Sequence, residues 1–446
     1  MTARSRTPRS SRRRLRRTRR TAAVALATAA GASLLGGCGI LPGTAEAGND
    51  PITVMTWAPQ NTEATNMPGM PAMAEAYARW VNASGGVNGR RLEVLTCNDH
   101  NDTVAAARCA QRAAKQDVVA VVGSYSQHGR SFMAPLEGHG IPYLGGYGIT
   151  DEEFTSPLSY PVNGGLPALV AGNGRQLAAA ECAQVALVRP DTVAGDQLPP
   201  LLDTGLRDGG AASAAPVTDV RAPEDATSYG QAAREALEGA GQAPEGTASG
   251  AEAEGGCVTA VLGGRTDTFF DSFRRLEPDD AGITSASVLG SVRQRLIDQT
   301  GGADSPLEGA YATGWYPAAD DLRWEPMKRV VREHAFGDNR IDTDDPGVQT
   351  TWIAYTVLRA ALESLDGDTP VTAETVRDAL DEGPAIATGG LTPELRWHYE
   401  DLLAAHDFPR IVNTRVTYQR VRDGRVVSVR DRFVDVRTSL VADRES

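Results

Sequence analysis

The 446-residue sequence predicts an α/β fold built as two doubly wound, Rossmann-like lobes. Three observations carry this expectation. The chain is longer than one hydrophobic core serves well, and 41% hydrophobic residues are enough for two. From Pro51 onward, strand-like and helix-like segments alternate regularly, the pattern of a parallel sheet. The alternation then starts afresh near residue 164 and closes in a run of helices and a terminal hairpin.

PITVMTWAP reads as the first strand. Residues Pro71–Ser84 place Met73, Ala76, Tyr77, Trp80 and Val81 at helical spacing. A glycine-rich turn, ASGGVNGR, leads to the strand RLEVLTC, followed by a helix over Thr103–Lys115. DVVAVVGS is a continuous apolar strand of the kind buried on both faces. Ser131–His139 is helical, and GIPYLGGYG is strand and turn. In the second half, helices are expected at Leu166–Ala180, Gln197–Gly209, Tyr229–Glu238 and Thr268–Leu276. The strands between them are CAQVALVRP, APVTDVRAP, CVTAVLGG and ASVLGSV, with EGAYATGWYP after a short helix. Residues 239–256 have no apolar period and read as an exposed loop. Asp320–Ala335, Val348–Leu365 and Ala373–Asp381 read as helices, and the last strands pair around Asp423-Gly424.

The N-terminus has a separate purpose. Residues 1–20 hold ten arginines and no acid, and the apolar run Ala22–Leu35 is too short to span a bilayer but suits a signal core. It ends in Leu35-Gly36-Gly37-Cys38, which resembles a bacterial lipobox, so Cys38 is expected to carry lipid after removal of residues 1–37. Each buried lipid methylene contributes roughly 0.8 kcal/mol, so a diacyl group anchors stably. Residues 38–50 form a tether. Arg12-Arg13 and Arg19-Arg20 leave the twin-arginine route open beside the general one. Without the ten arginines the net charge moves from −13 to about −23, which disfavours nucleic acid.

An exported chain meets oxidising conditions, so the other four cysteines are expected in two disulfides. Of three connectivities, Cys97–Cys109 and Cys182–Cys257 are favoured: the first joins a strand end to the next helix, the second joins two strand starts at one sheet edge. Such loops contribute about 3 to 4.7 kcal/mol each in the chain-entropy model. No CxxC or HExxH pattern points to a metal, and no Walker or GxGxxG loop points to a nucleotide cofactor.

In open parallel sheets, ligands bind beyond the carboxyl ends of the strands. The loops to inspect are therefore Trp57–Thr62, Gly123–Gln127, Gly145–Gly148, Asp191–Gly195, Gly264–Asp267, Gly290-Ser291 and Trp315-Tyr316. The GSYSQ loop leads because it precedes a helix, whose N–H groups and dipole favour a polar or anionic group. Ser124 and Ser126 add hydroxyls and Tyr125 a wall; alternatively the serines only cap the helix. Trp57 either stacks on a ligand or fills the space between lobes. Arg265 either pairs with an acidic ligand or makes an ion pair within the protein. His128 beside Ser126 invites a hydrolytic reading, but there is no GxSxG elbow and no acid placed to orient the ring, so no enzyme is expected.

NASGGVNGRRLEVLTCND resembles the N-terminal signature of type I periplasmic binding proteins of the leucine/isoleucine/valine-binding family. The resemblance continues at Val121–Ser126, at Gly140–Tyr143, in LEGAYATGWY and in the helix with Tyr355 and Ala360–Leu365, covering about Pro51 to Val436. It implies two lobes, 51–163 with 318–412 and 164–317 with 413–446, joined by three crossover strands and closing on a small ligand. It also implies delivery of an amino acid, amide or other small polar metabolite to an ABC permease, with no cofactor. The family's GxxS serine matches Ser126; its residue after the first strand falls at Trp57 or a neighbour. Its carboxylate-holding element falls on Gly145–Thr150, which brings in Gly146 and Tyr147. The family's first lobe-two tyrosine falls near Ala194-Gly195, its second at Arg265, and its ammonium-holding acid near Val292 or Arg293. These departures point away from branched-chain amino acids and toward an acidic or neutral polar head. Candidate ligand residues are therefore Trp57, Ser124, Tyr125, Ser126, Gly146, Tyr147, Asp191, Arg265 and Tyr316. A sensing or structural lipoprotein of the same fold is the alternative role.

Overall fold

Two sheets, built by the two rounds of alternation, carry the molecule. The computed structural model describes residues 50–442 except 63–64, 193, 212–215, 224–225, 242–254, 277–281, 289 and 368. The signal segment, Cys38, the tether to residue 49 and most of the 239–256 loop lie outside the described residues.

The first sheet contains β1 (Ile52–Trp57), β2 (Leu92–Cys97), β3 (Val121–Val122), β4 (Tyr143–Leu144) and β5 (Ser159–Tyr160) in the order β2-β1-β3-β4-β5. All its pairs are parallel. The intervening helices are α1 (Gly69–Ala83), α2 (Thr103–Lys115), α3 (Gly129–His139) and α4 (Asp151–Thr155). The second sheet contains β6 (Gln184–Pro190), β7 (Thr218–Ala222), β8 (Gly256–Ala260), β9 (Thr284–Val288) and β10 (Tyr311–Gly314), all parallel. Helices α5 (Gly165–Ala179), α6 (Leu198–Asp208), α7 (Gly230–Gly239), α8 (Thr266–Arg274) and α9 (Gln294–Gln299) connect them. The chain then returns to the first lobe as α10 (Glu325–His334), α11 (Pro346–Glu363) and α12 (Ala373–Asp381), where α10 and α11 pack on α1. It ends in the second sheet with β11 (Arg415–Arg422), β12 (Arg425–Ser428) and β13 (Val434–Asp435), all antiparallel, and α13 (Arg437–Val441). The second sheet runs β12-β11-β10-β9-β8-β6-β7, with β13 on β11.

Most expected elements form where the pattern places them; α2 and α12 match to the residue. DVVAVVGS differs. Val118–Val122 is buried, but only Val121 and Val122 form the strand; Val119 and Ala120 still exchange backbone bonds with Thr53 and Met55 of β1. The Asp320–Ala335 helix splits into a 3-10 turn, Leu322–Trp324, and α10, which starts with Pro326 in its first turn. Helix α4, absent from the sequence reading, begins in a capping box of Thr150 and Glu153.

Helices α5 and α6 pack so closely that a Cβ on Gly205 would lie 2.1 Å from the Ala171 carbonyl oxygen. The ASGGVNGR turn lies at the amino end of β2, where Gly86 (φ 80°) reverses the chain against the Arg90 carbonyl. Both favoured disulfides form: Cys97–Cys109 ties β2 to α2, and Cys182–Cys257 ties the entry of β6 to β8, each with Cα atoms 5.8 Å apart.

Three passages join the two sheets: residues 161–164, 315–321 and 409–414. They are bonded to one another. Asn163 Nδ2 donates to the Tyr316 hydroxyl (2.9 Å), and Asn413 Nδ2 to the Val162 carbonyl (3.1 Å). Thr417 Oγ1 and Gln419 Nε2 both donate to the Tyr316 carbonyl, at 2.7 and 3.0 Å. The Tyr316 hydroxyl also meets Thr350 Oγ1 of α11 at 2.9 Å.

Candidate functional site

The loops that leave the carboxyl ends of both sheets face each other across a cleft of about 740 Å³. This is where the parallel topology exposes backbone and loop side chains. The first-lobe wall comes from the loops after β1, β3 and β4, the second-lobe wall from those after β6, β8 and β9, and the buried Trp315 backs it from a connecting passage.

An aromatic corner dominates the interior. Tyr125 stands edge-to-face with Tyr147 (centroids 5.1 Å apart), and Tyr147 with Trp315 (5.0 Å). Backbone bonds fix both tyrosines: Tyr125 N donates to the Trp57 carbonyl and Tyr147 N to the Ser124 carbonyl, each at 3.0 Å. Trp315 Nε1 donates to the Gly165 carbonyl (2.9 Å). Burial, reinforced by the Asp345 charge, pushes the Tyr147 phenol far above its usual range, so it stays a neutral donor. Ile149, Leu166, Leu169, Leu198 and Val288 add apolar wall.

Two ion pairs border the cleft. Arg130 stands 3.7 Å from Glu152 and is almost fully exposed. Arg293 Nε donates to the Gly290 carbonyl (2.7 Å) and Nη1 to Asp345 Oδ2 (3.2 Å), bridging the lobes. Asp345 caps α11, its Oδ1 accepting from the amides of Gly347 and Val348. Burial holds the Asp345 carboxyl above the usual carboxylate range while Arg293 opposes the rise. Gly290 touches the Tyr147 hydroxyl; a Cβ there would stand 2.9 Å from it.

Of the nine candidates, the structure places Tyr125 and Tyr147 in the cleft wall. Trp57 is instead fully buried in the first lobe, packed on Phe132 and Tyr143 at 5.5 and 5.9 Å. Ser124 is buried, and its Oγ accepts the Trp57 amide (3.1 Å). Ser126 lies behind the wall, its Oγ accepting the His128 amide (3.2 Å). Gly146 is small because a Cβ would meet Glu153 Oε1 at 2.2 Å; that carboxylate accepts from the amides of Gly148, Ile149 and Thr150. Asp191 is exposed, 3.7 Å from Arg221. At the Arg265 turn, the cleft wall is made by Gly263 and Gly264, and Arg265 stands outside it. Tyr316 belongs to the joints between lobes, as described above. Sequence reading passed over Trp315 and Arg293 as candidates. Trp315 adjoins Tyr316 in one strand end, and Arg293 lies just beyond the Gly290-Ser291 loop that the topology singles out.

An acid does stand near His128. Asp99 is buried at the end of β2 and faces Ser126 and His128; burial raises its carboxyl above the usual range. The ring Nδ1 of His128 meets Thr103 Oγ1 at 3.3 Å, while Nε2, like Asp99 Oδ2, is buried without a partner among the described residues. Ser126 Oγ faces the His128 amide rather than its ring, so no nucleophile–base bond forms. His398, Glu400 and Asp401 are the one metal-like donor group among the described residues, and Arg396 already neutralises the acids, lying 2.5 Å from Asp401.

Two parallel-sheet lobes, an interlobe cleft and bonded connecting passages define a solute-binding architecture. A periplasmic binding protein family model matches residues 61–408, and the chain belongs to that family. No curated protein matches the chain. Among solved structures, an extracellular ligand-binding receptor from Verminephrobacter eiseniae is similar at 15% identity and TM-score 0.67, over 84% of this chain and 99% of that one. A branched-chain amino acid ABC transporter protein from Thermus thermophilus with bound valine is similar at 17% identity and TM-score 0.66, over 88% and 98%. A solute-binding protein of an ABC transporter from Rhodopseudomonas palustris, in complex with 3,4-dihydroxybenzoic acid, is similar at 14% identity and TM-score 0.63, over 87% and 98%. At these identities the likeness concerns the fold. No helix among the described residues is long and apolar enough to cross a membrane.

Proposed function

We propose that this protein is a lipid-anchored receptor on the outer face of the cell membrane that captures a small organic ligand between its lobes and delivers it to an ABC importer. The observation that carries the reading is the aromatic, largely apolar cleft of about 740 Å³ beyond the carboxyl ends of both sheets. In this reading the lobes are 51–163 with 318–412 and 164–317 with 413–446, and the bonds around Tyr316 are the hinge about which they close. The ligands of the similar structures, valine and 3,4-dihydroxybenzoate, support a small organic molecule as cargo. Tyr125 and Tyr147 are the ligand-contacting residues retained from the nine candidates. Cys38 carries the lipid.

Native mass spectrometry of protein purified from its own cells tests capture: a co-purified small molecule is expected. A broad metabolite library that never raises the melting temperature would instead favour a structural role. Replacing Cys38 with alanine should move the protein from the membrane to the soluble fraction.

A further inference from the structure

We infer that the cleft takes a small aromatic carboxylate, its ring against Tyr147 and its carboxylate on Arg293; this rests on reading the cleft as a solute site. Arg293 has donors to offer. Its Nε is used on Gly290 and one Nη1 hydrogen on Asp345, while Nη2 and the second Nη1 hydrogen meet no acceptor among the described residues. The side chain is 35% exposed and stands between the cleft and a smaller cavity lined by Asp320, Lys328 and Asp344. A planar guanidinium with two adjacent free N–H groups matches a carboxylate in two-point contact.

The surrounding charges agree. Asp345 does not cancel Arg293 fully, because it also caps α11, whose amino end supplies partial positive charge. The Tyr147 hydroxyl touches Gly290 beside Arg293 and adds a neutral donor there. Among the described residues, the acids lining the cleft are Asp151, which is exposed, and Glu152, which stands 3.7 Å from the exposed Arg130; neither offers a ligand ammonium a buried carboxylate. The ring preference follows from Tyr147, which is partly exposed in the cleft and is held edge-to-face by the buried Tyr125 and Trp315.

The test is calorimetry on the purified protein with one- and two-ring aromatic carboxylates, each beside its matched carboxamide, and with L-phenylalanine. At least one carboxylate should bind ten-fold or more tightly than its amide and than phenylalanine. Arg293→Gln should erase that preference. Asp345→Asn keeps an oxygen to cap α11 and frees Arg293, so it should raise carboxylate affinity three- to ten-fold. If the Arg293–Asp345 pair only latches the lobes, both substitutions weaken carboxylate and amide alike, which overturns the inference. So does equal binding of acid and amide, or failure of every carboxylate. In that last case, a hit elsewhere in the metabolite library leaves the solute-capture reading standing, and a blank library removes both.

Discussion

Two arginines of the second lobe, both near strand ends, have opposite surroundings. The Arg189 side chain is 1% exposed, with Nε and Nη2 each 2.7 Å from an Asp219 oxygen, Nη2 also 2.8 Å from Asp196 and Nη1 donating to the Pro190 carbonyl. Arg293 meets one carboxylate and one carbonyl and is a third exposed. An arginine with four of its five N–H donors taken by its own protein is part of the scaffold. One with unused donors in a concave, aromatic wall is equipped to meet something else. The type of residue is the same at both sites; what differs is how completely the fold satisfies it.

That contrast can be broken by substitution. Arg189→Met should have the largest effect, destabilising by about 2–3 kcal/mol in urea unfolding, because it leaves the clustered carboxylates of Asp196 and Asp219 with only the more distant, exposed Arg221. Ligand affinity should hold. An unchanged midpoint would show that a satisfied arginine contributes nothing there. Gly290→Ala comes next, at about 1–2 kcal/mol, since Gly290 has φ 94° and the new Cβ would press on the Tyr147 hydroxyl. It should also weaken binding in the cleft, whereas Arg189→Met should not.

Asp99 sharpens the comparison from the acidic side, being buried like Arg189 yet incompletely partnered like Arg293. Burial raises its folded-state pKa above the unfolded value, so the folded protein holds that proton more tightly. The stabilisation from this site is complete below the unfolded carboxyl pKa and is lost as pH rises through the folded one. Asp99→Asn should therefore flatten the fall in melting temperature on going from about pH 4 to pH 7; an identical slope would reject the assignment. The smallest change is expected from Arg293→Gln without ligand, about 1 kcal/mol: the guanidinium is a third exposed, but its loss leaves the buried Asp345 carboxylate with only the amides of α11.

Much of the fold was legible. Helical spacing around Trp80, the turn ASGGVNGR and the cysteines at strand ends all report local geometry, and the chain follows them. The site was legible only to the level of the loop. Trp57 and Tyr125 emerge at neighbouring strand ends, yet Trp57 enters the core while Tyr125 stands in the cleft wall; Trp315 and Tyr316 follow one strand and are both buried, one behind the cleft wall and the other in the joints. In strands buried on both faces, polarity does not alternate, so nothing in the residue types says which face a side chain takes. Arg293 was hidden differently. Its meaning depends on Asp345, 52 positions away, and on the donors left over after that bond.

Gly146 and Glu153 have a consequence for how this sequence can vary. The missing side chain at one position is the room in which the carboxylate at the other reaches three consecutive amides, and those amides belong to the segment just after Tyr147. The two positions are therefore expected to change together in any library selected for folding. Because a Cβ at 146 would also stand 2.3 Å from the Tyr143 ring, an alanine there should be recovered only with a shorter acid at 153 and a smaller side chain at 143.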